Sequence, residues 1–478
     1  MTPEDLHVTV YERDSRIGGR IMAVHPLNDS HFPPIDVGAS IFANVNHNIR
    51  HAARKFGLKP APRDAKLQSP MGLWDGSHFV IDDFDGSRWS QLKLYWRYGK
   101  SPTKALTLVN KAISAFQRIY SPRFLHDPKR KNSYPWRSVT GIAEDLQLKE
   151  FTTESAKDYF ESHKVTPLCA DELVNAATRG NYAQNVDRIH AFAGMVSMAA
   201  NGASGIKGGN AQVFQSLLQE SNATLRLGES GDVTGIMKVR SKTLPHAPSA
   251  TRWRIGTRDG HGDLYDVVLI ATPWHDSRIT LLNTDKSVPS YRYQSLHVTL
   301  VVTDAPQPNP TYFGYDASFD RVPRTIVTAP PQKVGGKPEF LTLSYLETLN
   351  KPQYKKQWDK LYVVKLFSYG PLPAKTLDKI FGNGEVVWTY GKEWSAFPVL
   401  SPTDKLANFE VDTDLYNLNA MERWISTMET STLAAKNVAG LVLQKWLGSH
   451  FVHGAHCRWG ARTPDVAEAW DTWGCMSS

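Results

Sequence analysis

Cysteine is scarce. Cys169, Cys457 and Cys475 are the three in a chain of 478 residues, so at least one thiol has no partner within the chain and a disulfide framework is excluded. No spacing of Cys and His reads as a zinc site, and no metal is expected. His453 and His456 stand near Cys457, but no second ligand pair follows them, and they read as part of a polar tail. No uninterrupted apolar run approaches the ~18–20 residues a membrane helix requires. The first residues carry Glu4, Asp5 and Glu12 and no apolar stretch of signal-peptide length, so the chain as given is expected to start without a secretory signal. Extensive disorder is excluded as well. Hydrophobic residues make up 41% and charged residues 21%, which is globular usage. At about 100–200 residues per domain, this length predicts two or three domains.

Acid is in short supply relative to base, with 47 Asp and Glu against 55 Lys and Arg and a net charge of +8. The excess is uneven. From Arg88 to Arg137 there are twelve Lys or Arg and one acid, Asp127. Two readings stand: a solvated basic face with a loop at Lys129-Arg130-Lys131, or a surface that meets anionic lipid. No RNP, helix-turn-helix or zinc-finger pattern accompanies the charge, so nucleic acid is not an expected partner. The sequons Asn28-Asp29-Ser30 and Asn222-Ala223-Thr224 have meaning only if the protein enters the secretory route.

The chemistry begins near the start. His7-Val8-Thr9-Val10-Tyr11-Glu12 reads as a strand ending in an acid, followed by Arg13 and then Ile17-Gly18-Gly19-Arg20. A carboxylate at the C-terminal edge of a strand is how a dinucleotide-binding sheet holds a ribose. The glycine pair lets backbone approach a phosphate, and Arg20 adds charge-assisted donors. No glycine precedes Glu12, whereas a G-x-G-x-x-G turn is expected about 20 residues before the ribose acid. The first strand and phosphate-binding helix are therefore expected to be missing from this chain, as in an incomplete version of a flavoprotein.

Further pieces are scattered along the chain. Gly38-Ala39-Ser40 would let backbone lie against a flat ring. Gly208, Gly209 and Asn210 form a glycine turn opening a helix from Ala211. Val233 starts a strand. After Asp266, Val267 to Ile270 is a continuous apolar run, as in a parallel strand buried on both faces, and it ends in Ala271-Thr272-Pro273, small residues where a ligand would pass. Glu422 precedes a helix from Met428 through Leu447, whose start (Met428-Glu429) would aim its N-terminus at the pyrimidine end of a flavin.

Together these pieces resemble the prenylcysteine oxidase (prenylcysteine lyase) family of FAD enzymes, over about residues 6–448. The strings that carry the resemblance are Val10 to Arg13 with Ile17 to Arg20, Glu172 to Val174 running to Thr178-Arg179-Gly180-Asn181-Tyr182, His190 to Ala199, Gly208-Gly209-Asn210, Tyr312-Phe313-Gly314, Val364 to Ser368 and Ser426 to Ser431. Two departures stand out. The N-terminal glycine-rich turn is absent, and Arg423-Trp424-Ile425 occupy a place where the family usually has small residues.

The resemblance implies an α/β fold: a glutathione-reductase-like FAD-binding domain lacking its first strand and glycine-rich turn, with an α+β substrate domain. The FAD domain is expected to be discontinuous, from residues 1–45, 205–294 and 401–447. Residues 46–204 and 295–400 would form the prenyl-binding part, with a long apolar tunnel, and 448–478 remain an unassigned tail. Expected cofactor contacts are Glu12, Arg13, Gly18, Gly19, Arg20, Gly38, Ala39, Ser40, Gly209, Asn210, Val233, Ala271, Thr272, Pro273, Glu422, Met428 and Glu429. The expected catalytic group is Arg179, Asn181, Tyr182 and His190, with Arg179 on the substrate carboxylate, Tyr182 near the flavin and His190 moving a proton.

The implied reaction takes farnesyl- or geranylgeranyl-cysteine and O2 to cysteine, a prenyl aldehyde and hydrogen peroxide. The family also implies a secretory, lysosomal or vacuolar location. Two alternatives remain open at this point: a flavin oxidase of the same fold acting on another isoprenoid or an amine, and a flavin-free protein that only carries lipid or binds a partner.

Overall fold

A computed structural model describes residues 6–61, 67, 69–125, 127, 129, 130, 132, 134–199, 203–240, 251–330, 337–350, 360–382 and 386–449. Cys457 and Cys475, the histidines beside them and most of the expected tail lie outside the described residues.

A seven-stranded sheet dominates. Its order is Val386–Pro398, Tyr293–Thr303, Leu361–Ser368, Thr342–Leu349, Thr325–Thr328, Met71–Trp74, Phe79–Phe84. Every neighbouring pair is antiparallel except Thr325–Thr328 with Met71–Trp74, which is parallel. The central strands are rich in Val and Leu, and Val298, Leu300, Val301, Val363, Val364 and Leu366 are buried. The hairpin Met71–Phe84 thus completes a sheet whose other strands come from residues 293–398.

The smaller sheets hold the pieces expected of a nucleotide domain. Thr9–Glu12 pairs in parallel with Thr224–Leu227. Val268–Ile270 pairs in parallel with Leu415–Asn417. Among the described residues, Thr9–Glu12 and Val268–Ile270 each have a strand neighbour on one edge only. Both lean on one apolar cluster, through Tyr11, Val268 and Ile270. The apolar run was expected to be buried on both faces. Leu269 is instead 47% exposed, because no described element covers that side of so short a strand.

Helices fill the remainder. The largest core gathers Phe116, Phe160 and Phe192 from the helices of residues 98–199 with Trp424, Leu433 and Val438 from the C-terminal segment. Trp424 and Ile425, two of the departures noted above, are buried there. Trp424 packs at 5.6 Å from Phe116 and 5.2 Å from Phe192. The helix Met428–Leu447 starts in a reciprocal capping box between Thr427 and Thr430. No helix among the described residues is long and apolar enough to cross a membrane. Cys169 is buried, which pushes its thiol up to about 12.

Candidate active site

Glu12 closes its strand, and its Oε1 accepts the Asp14 amide at 2.9 Å. No donor among the described residues reaches Oε2. Arg13 reaches across to Asp276, pairing with its carboxylate at 3.0 Å and donating to its carbonyl at 2.7 Å. Gly18 (φ 108°) and Gly19 (φ 51°) turn the chain through the left-handed region that other residues resist. Arg16 fixes this turn by donating to the Gly19 carbonyl at 2.8 Å.

Arg20 then meets the far end of the chain. One guanidinium nitrogen donates to the Ala396 carbonyl at 2.8 Å, and another pairs with the Glu422 carboxylate. Tyr293 donates to the second oxygen of Glu422. Glu422 is buried, and this carboxylate is ion-paired and hydrogen-bonded where it stands.

A second cluster gathers Gly38, Ala39, Ser40, Gly209 and Asn210. A Cβ at Gly38 would lie 1.9 Å from the Arg20 carbonyl, so only glycine fits. The Asn210 side chain donates to the Ala39 carbonyl at 2.9 Å and accepts the Ile206 amide at 2.9 Å. Its backbone N–H faces the Asp36 carboxylate at 3.2 and 3.3 Å. Lys365, from the centre of the large sheet, donates to the Asp36 carbonyl at 2.7 Å and to the Ser40 hydroxyl. Burial pushes the Lys365 ammonium down and the Asp36 carboxyl up, in spite of their mutual attraction. Neither residue was anticipated. The available signal was a lysine inside an otherwise apolar strand, since lysine is almost never fully buried without a partner.

At the exit of Val268–Ile270, the Thr272 carbonyl accepts from the Asn419 side chain at 2.8 Å. That contact ties Ala271-Thr272-Pro273 to the segment leading to Glu422. Val233 opens the strand Val233–Arg240 and packs in the cluster with Tyr11.

Two of the expected contact residues, Met428 and Glu429, have their side chains engaged elsewhere. The Glu429 carboxylate accepts the Asn48 and Ile49 amides at 2.8 and 3.1 Å and the Tyr120 hydroxyl at 2.7 Å. It therefore caps the helix His47–Lys55, whose first-turn amides have no partners within that helix. Burial raises its carboxyl to about 7. Met428 packs with Ile49 and Val213. Both side chains serve helix packing, not the Arg20–Glu422 cluster.

The four residues expected to be catalytic do not converge. Arg179 is buried and donates to the Thr328 carbonyl at 3.2 Å, the Thr328 hydroxyl at 3.0 Å and Asn185 at 3.1 Å. It fastens its helix to the sheet and supports Asn185, with each of its three guanidinium nitrogens donating one of these bonds. Asn181 donates to the carbonyls of Ala177 and Ser197 at 3.0 and 3.1 Å, joining two helices. Tyr182 is buried edge-on to Phe397 at 5.2 Å, and its hydroxyl has no hydrogen-bond partner among the described residues. His190 is the N-cap of the helix Ala191–Met198. Its Nδ1 accepts the Ala193 amide at 3.2 Å, and its Nε2 lies 3.3 Å from the Arg423 carbonyl. Fully buried, it is pushed down to about 4 and stays neutral. Neither ring nitrogen is free to carry a proton to water.

Beside Glu422 opens a cleft of about 740 Å³. Its walls include Asn185, Arg188, Tyr291, Arg292, Tyr369 and Arg423, and its lining holds three arginines and no acid. The Arg423 guanidinium lies 5.1 Å from the Tyr291 ring. Such a cleft attracts an anion, and its guanidinium forks suit a carboxylate. This is basic and open, not the long apolar tunnel expected.

Residues 81–452 match the protein family described as prenylcysteine lyase. The chain is similar to farnesylcysteine lyase of Arabidopsis thaliana, 27% identical over 456 residues that cover 92% of this chain and 82% of that protein. It is also similar to prenylcysteine oxidase 1 of Homo sapiens, 26% identical over 454 residues, 93% of this chain and 85% of that one. Among solved structures, wild-type putrescine oxidase bound to putrescine aligns with a TM-score of 0.55 at 11% identity, over 92% of this chain and 94% of that one. Cyclohexylamine oxidase from Brevibacterium oxydans aligns with a TM-score of 0.53 at 14% identity, over 91% and 94%. At such identities the likeness is one of fold: the chain has the mixed α/β architecture of these amine oxidases.

Proposed function

The chain belongs to the prenylcysteine lyase family, and from that premise we propose that it is an FAD-dependent oxidase that cleaves the thioether of farnesyl- or geranylgeranyl-cysteine. The observation that carries this reading is the family match over residues 81–452, which takes in the basic cleft and Glu422.

The residues fit the cofactor at two of its ends. Glu12 keeps a carboxylate oxygen available at a strand terminus, as a ribose requires. Gly38 and Gly209 keep side chains out of the cluster held by Lys365 and Asn210, where a flat ring would be borne. Tyr182 Oη and Trp424 Nε1 are buried polar atoms lacking a partner among the described residues, an arrangement that is costly unless something else approaches them.

FAD, held by Glu12 and by the backbone around Gly38 to Ser40 and Gly209, would supply two-electron oxidation at the allylic carbon beside sulfur, with dioxygen as the final acceptor. The sum balances: thioether, O2 and water give aldehyde, thiol and hydrogen peroxide. The chain supplies position. Arg188, Arg292 and Arg423 hold the substrate carboxylate. The Arg20–Glu422–Tyr293 cluster fixes the wall next to it, and Lys365 keeps Asp36 to Ser40 in place.

The reading is tested by loading the protein with FAD and measuring peroxide from farnesylcysteine, geranylgeranylcysteine, putrescine and cyclohexylamine. Peroxide from the prenylcysteines, matched by aldehyde, supports it. Peroxide from the amines alone would favour an amine oxidase, in line with the fold. We also assign the protein to the secretory, lysosomal or vacuolar route. Asn28 and Asn222 are exposed, and a glycan on either, removable by glycosidase, would report that passage.

A further inference from the structure

The helix Arg88–Tyr98 has an inner side that is fixed and an outer side that is unusual. Inside, Ser90 and Tyr98 are buried. Glu172, buried on an irregular wide helical turn (Ala170–Val174), clamps this side. It accepts from Arg97 at 2.8 and 2.6 Å and from the Tyr98 hydroxyl at 2.5 Å. The outer side carries Trp89 (56% exposed), Leu92 (38%), Tyr95 (53%) and Trp96 (67%). At 3.6 residues per turn these four fall within an arc of roughly 120° facing water. Trp89 and Trp96 stand edge-on at 5.8 Å, so the two indoles form one patch. Scattered exposed hydrophobics need no explanation, but two tryptophans, a tyrosine and a leucine on one solvent-facing stripe do.

The charges around the stripe have one dominant sign. Arg88 lies within the arc, and Lys93 borders it. Arg88, Lys100, Lys104 and Lys111 enter no ion pair among the described residues. The nearby acids are engaged: Asp83 by Lys93, Asp82 by the Tyr315 hydroxyl at 2.7 Å, and Asp85 by the Ser87 amide at 2.8 Å. The basic stretch noted in the sequence therefore carries an exposed aromatic stripe, with Arg88 and Lys93 beside it on the same helix.

We propose that the outer face of the helix Arg88–Tyr98 docks onto a membrane surface containing anionic lipid. Trp and Tyr favour the headgroup level, where the ring body is apolar and its polar edge stays wet. Basic side chains at the margin reach anionic headgroups while their stems lie along the apolar layer. Two signals, apolar insertion and charge, act together, as stable but reversible attachment requires. The Glu172 clamp holds the helix so that this face is presented without rearrangement. Charge complementarity selects lipid over a second copy of this chain, which would oppose two basic faces.

The test needs no cofactor and reads no activity. The full chain is mixed with phosphatidylcholine vesicles, with or without phosphatidylserine, and binding is followed by sedimentation and by tryptophan emission. Binding to the serine-containing vesicles, a blue shift, and weakening by salt are expected. Trp89→Ser with Trp96→Ser, and separately Arg88→Glu with Lys100→Glu, should each reduce binding about tenfold or more, with circular dichroism and Tm unchanged. The proposal is overturned if the wild-type chain ignores both vesicles, if it binds both equally, or if both variants bind as the wild type does. A dimer in gel filtration that the tryptophan variant alone disperses would also overturn it, since the face would then be covered by a second copy.

Discussion

Arg20 and Glu422, 402 positions apart in the chain, form an ion pair that Tyr293 completes from a third segment. Three pieces of sequence are thereby pinned beside the basic cleft. Removing one partner leaves the buried carboxylate short of its compensation. Arg20→Met is expected to cost about 2–4 kcal/mol in urea denaturation, below the full penalty for a buried pair because Arg20 is partly exposed. Arg20→Met combined with Glu422→Leu should recover part of that loss. If the double variant is as unstable as the sum of the singles, the pair is not the stabilising unit described.

Glu429 gives a pH signature. Its carboxyl is raised from 4.5 to about 7 by burial. The sign follows from linkage: the folded chain keeps this proton where the unfolded chain has released it. The contribution is whole below pH 4.5 and is lost as pH rises through 7, on the order of 3 kcal/mol. The difference in Tm between the wild type and Glu429→Gln should therefore change across that window, with the variant gaining relative to the wild type towards higher pH. A flat difference would show that the carboxylate is ionised throughout.

His190 has the opposite sign. Burial depresses it from 6.5 to about 4, so its contribution is present above pH 6.5 and is lost as pH falls through 4. His190→Asn keeps a competent N-cap and removes the titration. Its Tm should fall less than the wild type's on acidification, and its kcat on a prenylcysteine should stay within about threefold. A general acid or base at this position would instead lose about 10²–10⁴ in rate, which would restore the proton role that the geometry denies it.

Arg423 stands on the cleft. Arg423→Ala should raise KM for a free prenylcysteine at least tenfold, the effect of losing a charge-assisted contact worth about 1.5–3 kcal/mol, with a smaller change in kcat. The methyl ester of the substrate, which lacks the carboxylate, should show little difference between the wild type and the variant. Equal losses on acid and ester would remove the carboxylate from the assignment.

Much of the frame was legible because it is local. Glu12 at a strand end, the glycine turn before Ala211 and the helix Met428–Leu447 all follow from periodicity and turn chemistry within a dozen residues. What was not legible depends on long-range pairing. Helical spacing shows that Glu429 lies in a first turn, but not that another helix, 380 positions away, presents its amides there. The stretch from Arg179 to His190 is rich in groups that do chemistry elsewhere, and only the packing shows Arg179, Asn181 and His190 each bonded to neighbouring segments while the Tyr182 hydroxyl is left without a partner among the described residues. Lys365 is one charged residue in an otherwise largely apolar strand. Its meaning comes from Asp36 and Ser40, which belong to a distant loop. The cleft arginines come from separate segments, and no spacing links them.

The central claim is that a flavin held at this site oxidises a prenylated thioether. The direct measurement mixes the FAD-loaded protein with farnesylcysteine in the absence of oxygen and follows the visible flavin band, then admits air. The account predicts bleaching on mixing, return of the band with air, and release of farnesal, cysteine and hydrogen peroxide in equal amounts. A flavin that stays bound and oxidised through the mixing, with no aldehyde formed, would contradict it.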